Sequence, residues 1–418
     1  FFQAEDGIRA AQESRGLGDV YKRQDEVHGA ACAEIVHEIA PDAELFLAWY
    51  DGSNAAMGQA IEWLRSQGVV IISHSVGGLI SPRDGSDWEA RLVDSLAAQG
   101  VVWVNSAGNQ GQGHYRGTFT DQNGDGFHEF APGEMLLPLP NGGYLEVFLM
   151  WDDWTAVDQD YDLFLYDAAG NEIVVSQDLQ SGQNGQRPAE GVWAETGGEI
   201  VYAAVKAYDV TRPAVLDIFV WPIDLPSAYA VPAYSVSSPG DAVGSLTVGA
   251  TNFWDDSLAY YSSQGPTADG RLKPEISAPA GVSGATYGAR GFPGTSASCP
   301  HVAGAAALVW QANPQFSRQE VVDYLLTHAL DLGPAGPDTG YGYGRLSLPP
   351  PGAAPPPDQT VQPPDPAVTP APLLPPTPVA YATPQPGQLG AGAGAMAAGL
   401  ILLVGGCLLY TSPSPRDS

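Results

Sequence analysis

The sequence predicts an α/β protein, a parallel sheet with helices on both faces, which is interrupted by an inserted antiparallel β-sandwich. In the first and last parts of the chain, short continuous apolar runs alternate with segments of helical spacing. This alternation is typical of a parallel sheet that lies buried under helices on both faces. Between residues 113 and 232, apolar and polar residues alternate instead, and turns rich in Gly, Asn and Asp separate the segments. That pattern indicates antiparallel strands packed as a sandwich.

The elements follow in chain order from the apolar pattern. Apolar runs predict strands at 44–49, 69–75 and 101–105. Apolar residues at helical spacing predict helices at 30–39, 57–64 and 88–96, and a long helix that runs from Ser296 to 311. In the middle part, alternation predicts strands at 145–151, 163–165 and 216–220. Loops at the carboxyl ends of the parallel strands are expected to build the functional site.

Residues 294–304 read Gly-Thr-Ser-Ala-Ser-Cys-Pro-His-Val-Ala-Gly and carry the most chemical information in the chain. They place Ser296 where a tight Gly-Thr turn enters a helix. Pro300 is expected in the first turn of that helix, where its missing N–H costs little. A serine at a helix N-terminus lies in a positive field that stabilises an oxyanion nearby.

Two further motifs precede this one in the chain. His28-Gly29 opens a short predicted helix, and Asn109 ends the string Ser-Ala-Gly-Asn that follows an apolar strand. In this order, the three motifs resemble those of the subtilisin-like serine proteases. The resemblance implies that Ser296 is the nucleophile and that His28 is its general base. It also implies that the Asn109 amide and the Ser296 backbone N–H bind the oxyanion.

The same resemblance implies an aspartate that orients the histidine and lies upstream of it, in an Asp-Ser-Gly or Asp-Thr-Gly setting. No such setting precedes His28. When residues 19–24 are back-translated, the opposite DNA strand, read one base out of frame, encodes residues 407–412. We interpret 1–24 and 407–418 as translated sequencing adapter, which is excluded from fold reasoning. The aspartate is therefore expected upstream, and the chain as it stands is expected to have little activity.

Two segments are expected to contact the substrate, which would be a polypeptide. The segment Ser75-Val76-Gly77-Gly78 resembles the substrate-binding edge of the family, where glycines let a peptide backbone pair as an added strand. A plain Gly-Gly turn is the alternative. The residues before Asn109 complete this set of candidate substrate-binding positions: Ser106, Ala107 and Gly108.

A candidate calcium loop lies in the predicted sandwich. Residues 121–126 read Asp-Gln-Asn-Gly-Asp-Gly, with oxygen ligands at alternate positions and glycine for a sharp turn. Asp121, Asn123 and Asp125 would bind Ca²⁺, with Glu129 as a further ligand. The twelfth position is Pro132 rather than a bidentate glutamate, so a solvated Asx turn is the alternative. The ion would be structural, because the chemistry of a serine protease requires no cofactor.

Between the two adapter segments, these observations divide the chain into a peptidase domain, an insert, a stalk and an anchor. Residues 25–112 and 233–347 are expected to form the peptidase domain, and 113–232 the inserted sandwich. Proline dominates 348–388, which predicts a semi-rigid extended stalk. Residues 389–406 carry no charge, and we interpret them as a truncated transmembrane anchor, with a glycine-rich tail as the alternative.

The composition of the chain restricts the binding partners and the cellular compartment that can be expected for the protein. The chain has 47 acidic and 17 basic residues, a formal net charge of −30, which excludes nucleic-acid binding through a basic surface. Strong acidity suits an extracellular protein, expected here to be anchored at the cell surface. Cys32 and Cys299 are expected to be small buried thiols, with a disulfide between them as the alternative.

The function that these motifs favour is a serine endopeptidase that hydrolyses peptide bonds of extracellular proteins. A sedolisin-type protease also has a Gly-Thr-Ser motif, but it uses carboxylates as base and oxyanion donor, so His28 and Asn109 argue against it. The alternative from another class is a non-catalytic surface adhesin on a pseudo-protease scaffold. Such a protein would bind its partner through the β-sandwich insert.

Overall fold

The computed structural model describes residues 8–9, 28–50, 52–140, 143–183, 185–349 and 399–405. The strands, in chain order, are β1 (Ile8–Arg9), β2 (Glu44–Tyr50), β3 (Ile71–His74), β4 (Val102–Ser106), β5 (His114–Thr118), β6 (Leu137–Leu139), β7 (Tyr144–Trp151), β8 (Asp160–Tyr166), β9 (Glu172–Ser176), β10 (Ala189–Glu195), β11 (Val201–Asp209), β12 (Val215–Trp221), β13 (Ser245–Asn252), β14 (Ile276–Ala280), β15 (Val282–Gly284), β16 (Gly288–Phe292) and β17 (Gly399–Gly405). The helices are α1 (His28–Ile39), α2 (Asn54–Ser66), α3 (Trp88–Ala98), α4 (Thr295–Ala312) and α5 (Arg318–Thr327).

A seven-stranded sheet forms the centre of the α/β part, in the order β1-β2-β17-β3-β4-β13-β14. Its pairings are parallel throughout the described strands. Helices α1, α4 and α5 cover one face, where Val36 and Val302 are buried with Val104 of the sheet. Helices α2 and α3 cover the other face, where Leu64 packs with Trp103. The predicted parallel sheet with helices on both faces is confirmed.

Side-chain caps fix where three of the helices begin. Ser53 accepts a hydrogen bond from the backbone N–H of the third residue of α2, so that helix starts earlier than its apolar spacing predicts. Asp87 caps α3 in the same way. Ser317 and Glu320 form a reciprocal capping box at the start of α5. Each cap satisfies backbone donors that have no partner inside the helix.

The region between β4 and β13 folds as the predicted antiparallel sandwich. One sheet has the order β10-β7-β12-β5, and the other has the order β6-β11-β8-β9. Alternate residues of β7, Leu145, Val147 and Leu149, are buried against Leu163 and Leu165 of β8. This inward-facing alternation of apolar residues is the pattern from which the sandwich was predicted.

The polypeptide enters the sandwich from the α/β part and returns to the α/β part at one place. Strands β4 and β13 are neighbours in the central sheet, although the whole sandwich lies between them in sequence. The two ends of the insert pair with each other, because Val231 N–H donates to the His114 carbonyl at 2.7 Å. This pair of residues lies one position inside the predicted boundaries of the insert, 113 and 232, and the division into domains stays a prediction.

A cluster of buried charges joins the sandwich to the α/β part. Asp217 of β12 forms an ion pair with Arg83 of the α/β part at 2.6 Å and a second ion pair with Arg116 of β5 at 2.6 Å. The His114 ring lies 2.9 Å from the same carboxylate. Burial raises the pKa of Asp217, but Arg83, His114 and Arg116 together hold it well below its ordinary value. Asp217 is therefore a carboxylate that links both parts of the fold.

Part of the predicted membrane anchor lies in the central sheet. Residues 399–405 form β17 between β2 and β3, with Leu400 opposite Leu45 and Ile71. This placement differs from the membrane span expected for 389–406. The two environments give the same sequence pattern, because a central parallel strand is buried on both faces and is a continuous apolar run. Within the described residues, no helix is both long and apolar enough to cross a membrane. Residues 350–398 and 406–418, and all of 1–24 except β1, lie outside the described part.

Candidate active site

Ser296 is the second residue of α4 and is partly exposed at the carboxyl end of β3. Gly294, directly before the helix, has φ of +89°, a conformation that is strained for residues with a side chain. The Ser296 Oγ donates a hydrogen bond to the Ser75 carbonyl at 3.3 Å. The Ser75 Oγ donates in return to the Ser296 carbonyl at 2.9 Å. The candidate nucleophile is thus held against the end of β3.

Pro300 lies inside α4, in its second turn rather than in the first turn as expected. Because proline has no N–H, the Ser296 carbonyl four residues earlier loses its helical donor. Two side chains donate to that carbonyl instead, the Ser75 hydroxyl at 2.9 Å and the Cys32 thiol at 3.5 Å. The proline therefore frees a carbonyl through which the nucleophile is tied to β3 and to α1.

Asn109 is exposed in the loop that follows β4, and its side chain is oriented from α4. Its Oδ1 accepts hydrogen bonds from the backbone N–H of Thr295 at 2.9 Å and from the Thr295 hydroxyl at 3.1 Å. A backbone N–H can only donate, so the bonded atom is the amide oxygen and the Nδ2 remains as a donor. Thr295 Oγ1 also accepts from Gly108 N–H at 3.1 Å. Sequence reasoning did not single out Thr295, which orients the candidate oxyanion donor.

His28 is the first residue of α1 and is partly exposed. Its ring meets the Phe292 ring edge to face, with the centroids 5.4 Å apart. Cys32, one helical turn further along α1, contacts the Ser296 carbonyl. The face of α1 that carries His28 is consequently turned towards the helix that carries Ser296, and the role of His28 as general base stays a prediction.

The predicted substrate edge at 75–78 is exposed at its two glycines. Gly78 pairs with Ser238 of the same chain, donating at 2.8 Å and accepting at 3.1 Å. A side chain on Gly77 would collide with Ser237, so this glycine permits a close approach between two segments. Val76 is partly buried beside them. Substrate binding by 75–78 stays a prediction, and the structure adds a packing reason for its glycines.

The residues that precede Asn109 support it from inside the sheet. Ser106 and Ala107 are buried, and the Ala107 backbone pairs with Val248 at 2.9 Å and with Ser237 at 3.0 Å. Gly108 has φ of +109°, so it turns the chain sharply out of the strand. These residues place the Asn109 side chain at the carboxyl end of β4. Their direct contact with a substrate stays a prediction.

A series of buried, hydrogen-bonded side chains lies behind Ser75, and the sequence analysis did not predict it. Asn105 Oδ1 accepts from the Trp103 indole N–H at 3.0 Å, which identifies that atom as oxygen. His74 Nδ1 must therefore donate to it, at 2.7 Å, and His74 Nε2 accepts from the Tyr50 hydroxyl at 2.9 Å. Burial lowers the pKa of His74 to about 4, so the ring is neutral at pH 7. This series of side chains joins the carboxyl ends of β2, β3 and β4 beneath the site.

Comparison with known families identifies the family of the chain. The model of the subtilase family matches residues 12–128 and 228–344, more than half of the chain. The chain belongs to the subtilase family. The unmatched residues between the two blocks, 129–227, lie in the sandwich.

Known subtilases match parts of this chain. Bacillopeptidase F of Bacillus subtilis is 40% identical over 119 residues, which are 26% of this chain and 8% of that protein. Subtilisin BL of Lederbergia lenta is 37% identical over 101 residues, 24% of this chain and 36% of that protein. The chain thus covers well under half of either relative. Among solved structures, the CspB protease of Clostridium perfringens is 17% identical with a TM-score of 0.49, and the match covers 70% of this chain and 68% of that one.

Both cysteines of this subtilase that lie in the described part are free and buried. Burial raises the pKa of the Cys32 thiol, and it raises the pKa of Cys299 to about 11. The Cys299 thiol donates to the carbonyl of Val104 at 3.3 Å. Both side chains therefore remain neutral thiols that pack under the site, as the sequence predicted.

The candidate calcium loop is held by hydrogen bonds from its own backbone. Asp121 accepts from the N–H groups of Gly124 at 2.7 Å and Gly126 at 2.9 Å. Glu129 accepts from Gln122 and Gly133, both at 3.1 Å. Asn123 turns its amide towards Asp125 at 2.9 Å, so it presents a donor there rather than an oxygen. In the described part of the chain, no three His, Cys, Asp or Glu side chains form a group that could hold a metal. The loop has the Asx-turn arrangement, and calcium binding stays a prediction.

Proposed function

We propose that this subtilase is a serine endopeptidase whose acyl-enzyme forms on Ser296. The observation that carries the proposal is the Asn109 amide, which Thr295 orients at the start of the helix that bears Ser296. An amide donor beside a serine at a helix N-terminus is suited to a carbonyl oxygen that becomes negative. A non-catalytic adhesin would have no use for this orientation.

The proposed roles follow from the chemistry of each group. Ser296 Oγ attacks the substrate carbonyl, and His28 takes its proton and later gives that proton to the departing amine. The new oxyanion accepts hydrogen bonds from Asn109 Nδ2 and from the Ser296 backbone N–H. An aspartate is proposed to hold His28 in the required tautomer, although no Asp-Ser-Gly or Asp-Thr-Gly setting precedes His28 in the chain. In subtilisin itself, loss of the triad aspartate lowers kcat by roughly 10⁴, so slow turnover is expected of the chain as it stands.

The proposed substrates are extracellular polypeptides, since the chain is strongly acidic and its relatives are subtilisins. Anchoring through 389–406 is a separate prediction, for which β17 offers a different environment. Partitioning into detergent tests it, because an anchored chain enters the detergent phase and a variant that ends at Leu348 stays in water. If both forms stay in the aqueous phase, the anchor is wrong.

A fluorophosphonate probe tests the proposed nucleophile and base. After prolonged incubation, mass spectrometry should find one adduct on the peptide that contains Ser296, and none in Ser296→Ala. His28→Ala should slow labelling by roughly 10² or more, the usual contribution of a general base. His37→Ala, on the same helix, is the matched control and should label at the wild-type rate.

Two results would count against the proposal. Equal labelling of wild type and Ser296→Ala would mean that another group reacts with the probe. Equal labelling of His28→Ala and His37→Ala would remove His28 as the base.

A further inference from the structure

Three largely exposed aromatic residues lie at the carboxyl end of β13. Phe253, Trp254 and Tyr260, together the aromatic patch, expose 55%, 64% and 65% of their surface. The rings of Phe253 and Trp254 meet edge to face with centroids 5.2 Å apart. Strand β13 is the neighbour of β4, whose carboxyl end leads to Asn109. The patch and the candidate active site therefore lie on the same edge of the sheet.

The patch is held outward by a closed turn. Asn252 N–H donates to the Ser257 carbonyl at 2.8 Å, and Asp255 accepts from Ser257 N–H at 3.1 Å. Asp256 forms an ion pair with Arg345 at 2.9 Å, which fastens the turn to the domain. Large apolar rings gain free energy when they leave water. Rings that a fixed turn keeps exposed are suited to bind a partner with little loss of conformational entropy.

A first series of contacts leads from the patch to the candidate base. Gly281 lies beneath the rings of Phe253 and Trp254, where a Cβ would stand 3.4 Å from each. Gly281 N–H donates to the Phe292 carbonyl at 2.8 Å. The Phe292 ring in turn touches the His28 ring, with centroids 5.4 Å apart.

A second series leads from the patch to the nucleophile. The Tyr260 ring contacts the Tyr261 ring, with centroids 5.2 Å apart. The Tyr261 hydroxyl accepts from Gly294 N–H at 2.9 Å, two residues before Ser296. The patch consequently continues into the site on the side of His28, whereas the segments around Ser75 and Asn109 flank Ser296 from β3 and β4.

In the proposed reaction, His28 protonates the departing amine, so the part of the substrate that follows the cleaved bond must pass on the His28 side. We propose that the aromatic patch binds this leaving half of the polypeptide and favours bulky apolar or aromatic side chains there. The inference rests on the proposed function. Rigid aromatic residues of this kind commonly carry a large share of binding free energy.

Digestion of a peptide library made from a whole proteome tests the inference, because such a library offers many different side chains on both sides of each bond. The full chain is incubated with the library for hours, and cleaved bonds are identified by mass spectrometry. Leu, Phe, Tyr and Trp are expected to be enriched in the first positions after the cleaved bond. Phe253→Ala and Trp254→Ala should lower this enrichment by roughly tenfold and leave the preferences before the bond unchanged. Trp254→Phe should restore most of the enrichment.

Tyr208→Ala is the matched control, because Tyr208 is 63% exposed but lies in β11 of the sandwich. The Tyr208→Ala variant should show the same side-chain preferences around the cleaved bond as the wild type. Cleavage that persists in the patch variants with unchanged enrichment overturns this inference and leaves the proposed function intact. Cleavage no greater than that of Ser296→Ala overturns the proposed function, and this inference with it. Loss of preference on both sides of the bond in Trp254→Ala, but not in Trp254→Phe, also counts against a role confined to the leaving half.

Discussion

At the scale of single residues, the groups that position the candidate catalytic side chains are separate from those that would react. Thr295 fixes the Asn109 amide through two hydrogen bonds and supports Gly108 through a third. His74 and Asn105 join strand ends beneath Ser75 without any exposure of their own. Their substitution should therefore alter the orientation or the stability of the site rather than remove a reacting group.

Thr295→Val removes the hydroxyl that contacts both Asn109 and Gly108. We expect fluorophosphonate labelling of Ser296 to slow by roughly tenfold, because the oxyanion donor loses part of its orientation. Thr295→Ser keeps the hydroxyl and should label at close to the wild-type rate. Equal rates for the two variants would show that the hydroxyl does not orient Asn109.

His74 makes stability depend on pH. Its pKa is about 4 in the folded chain and 6.5 for an ordinary histidine, so the unfolded chain binds the proton first as the pH falls. The stabilisation is complete above pH 6.5 and is lost between 6.5 and 4. Urea unfolding of wild type and His74→Gln at several pH values checks this. The difference in their free energies of unfolding should shrink by about 3 kcal/mol over that range, and a constant difference would contradict the neutral buried ring.

At the scale of elements, sequence reasoning succeeds where the signal is local. The motif at 294–304 is a continuous stretch at a helix start, and the apolar runs of the parallel strands and the alternation of the sandwich are repeated over several residues. It fails where contacts join distant residues. His74 and Asn105 are 31 positions apart, and Thr295 and Asn109 are 186 apart, so no local pattern marks either pair. It leaves two interpretations open where one pattern serves two environments, as in the apolar run of β17.

The loop at 121–129 is held in its conformation either by a bound metal ion or by its own backbone hydrogen bonds, and a substitution of Asp121 distinguishes these two possibilities. Asp121→Ala should lower the free energy of unfolding by about 1–3 kcal/mol, because backbone N–H groups lose their acceptor. If the Asx-turn bonds alone close the loop, addition of EDTA leaves the melting temperature of the wild type unchanged. A rise in melting temperature with millimolar calcium that Asp121→Ala abolishes would instead establish calcium binding.

At the scale of the whole molecule, the cluster around Asp217 determines how firmly the two parts of the fold are joined. Arg83 and Asp217 are almost fully buried, with 5% and 7% of their side chains exposed. Arg83 also lies over the Phe219 ring of the sandwich at 4.9 Å. A buried ion pair contributes little compared with apolar packing, but removal of one partner leaves a buried charge without compensation.

Asp217→Asn should therefore lower the free energy of unfolding by about 3–5 kcal/mol. The matched control is Asp152→Asn, because Asp152 pairs with Arg212 at 3.0 Å but is 46% exposed. That control should cost at most about 1 kcal/mol. Thermal or urea unfolding followed by tryptophan fluorescence measures both. Similar losses in the two variants would mean that the Asp217 cluster is solvated.

The pairing between His114 and Val231 has a consequence for the history of the chain. A module whose two ends are adjacent can enter a gene at one point without a change in the path of the surrounding sheet. Deletion of the module would remove the Asp217 carboxylate and the Phe219 ring that Arg83 contacts, and it would expose the surface of the α/β part that the insert now covers.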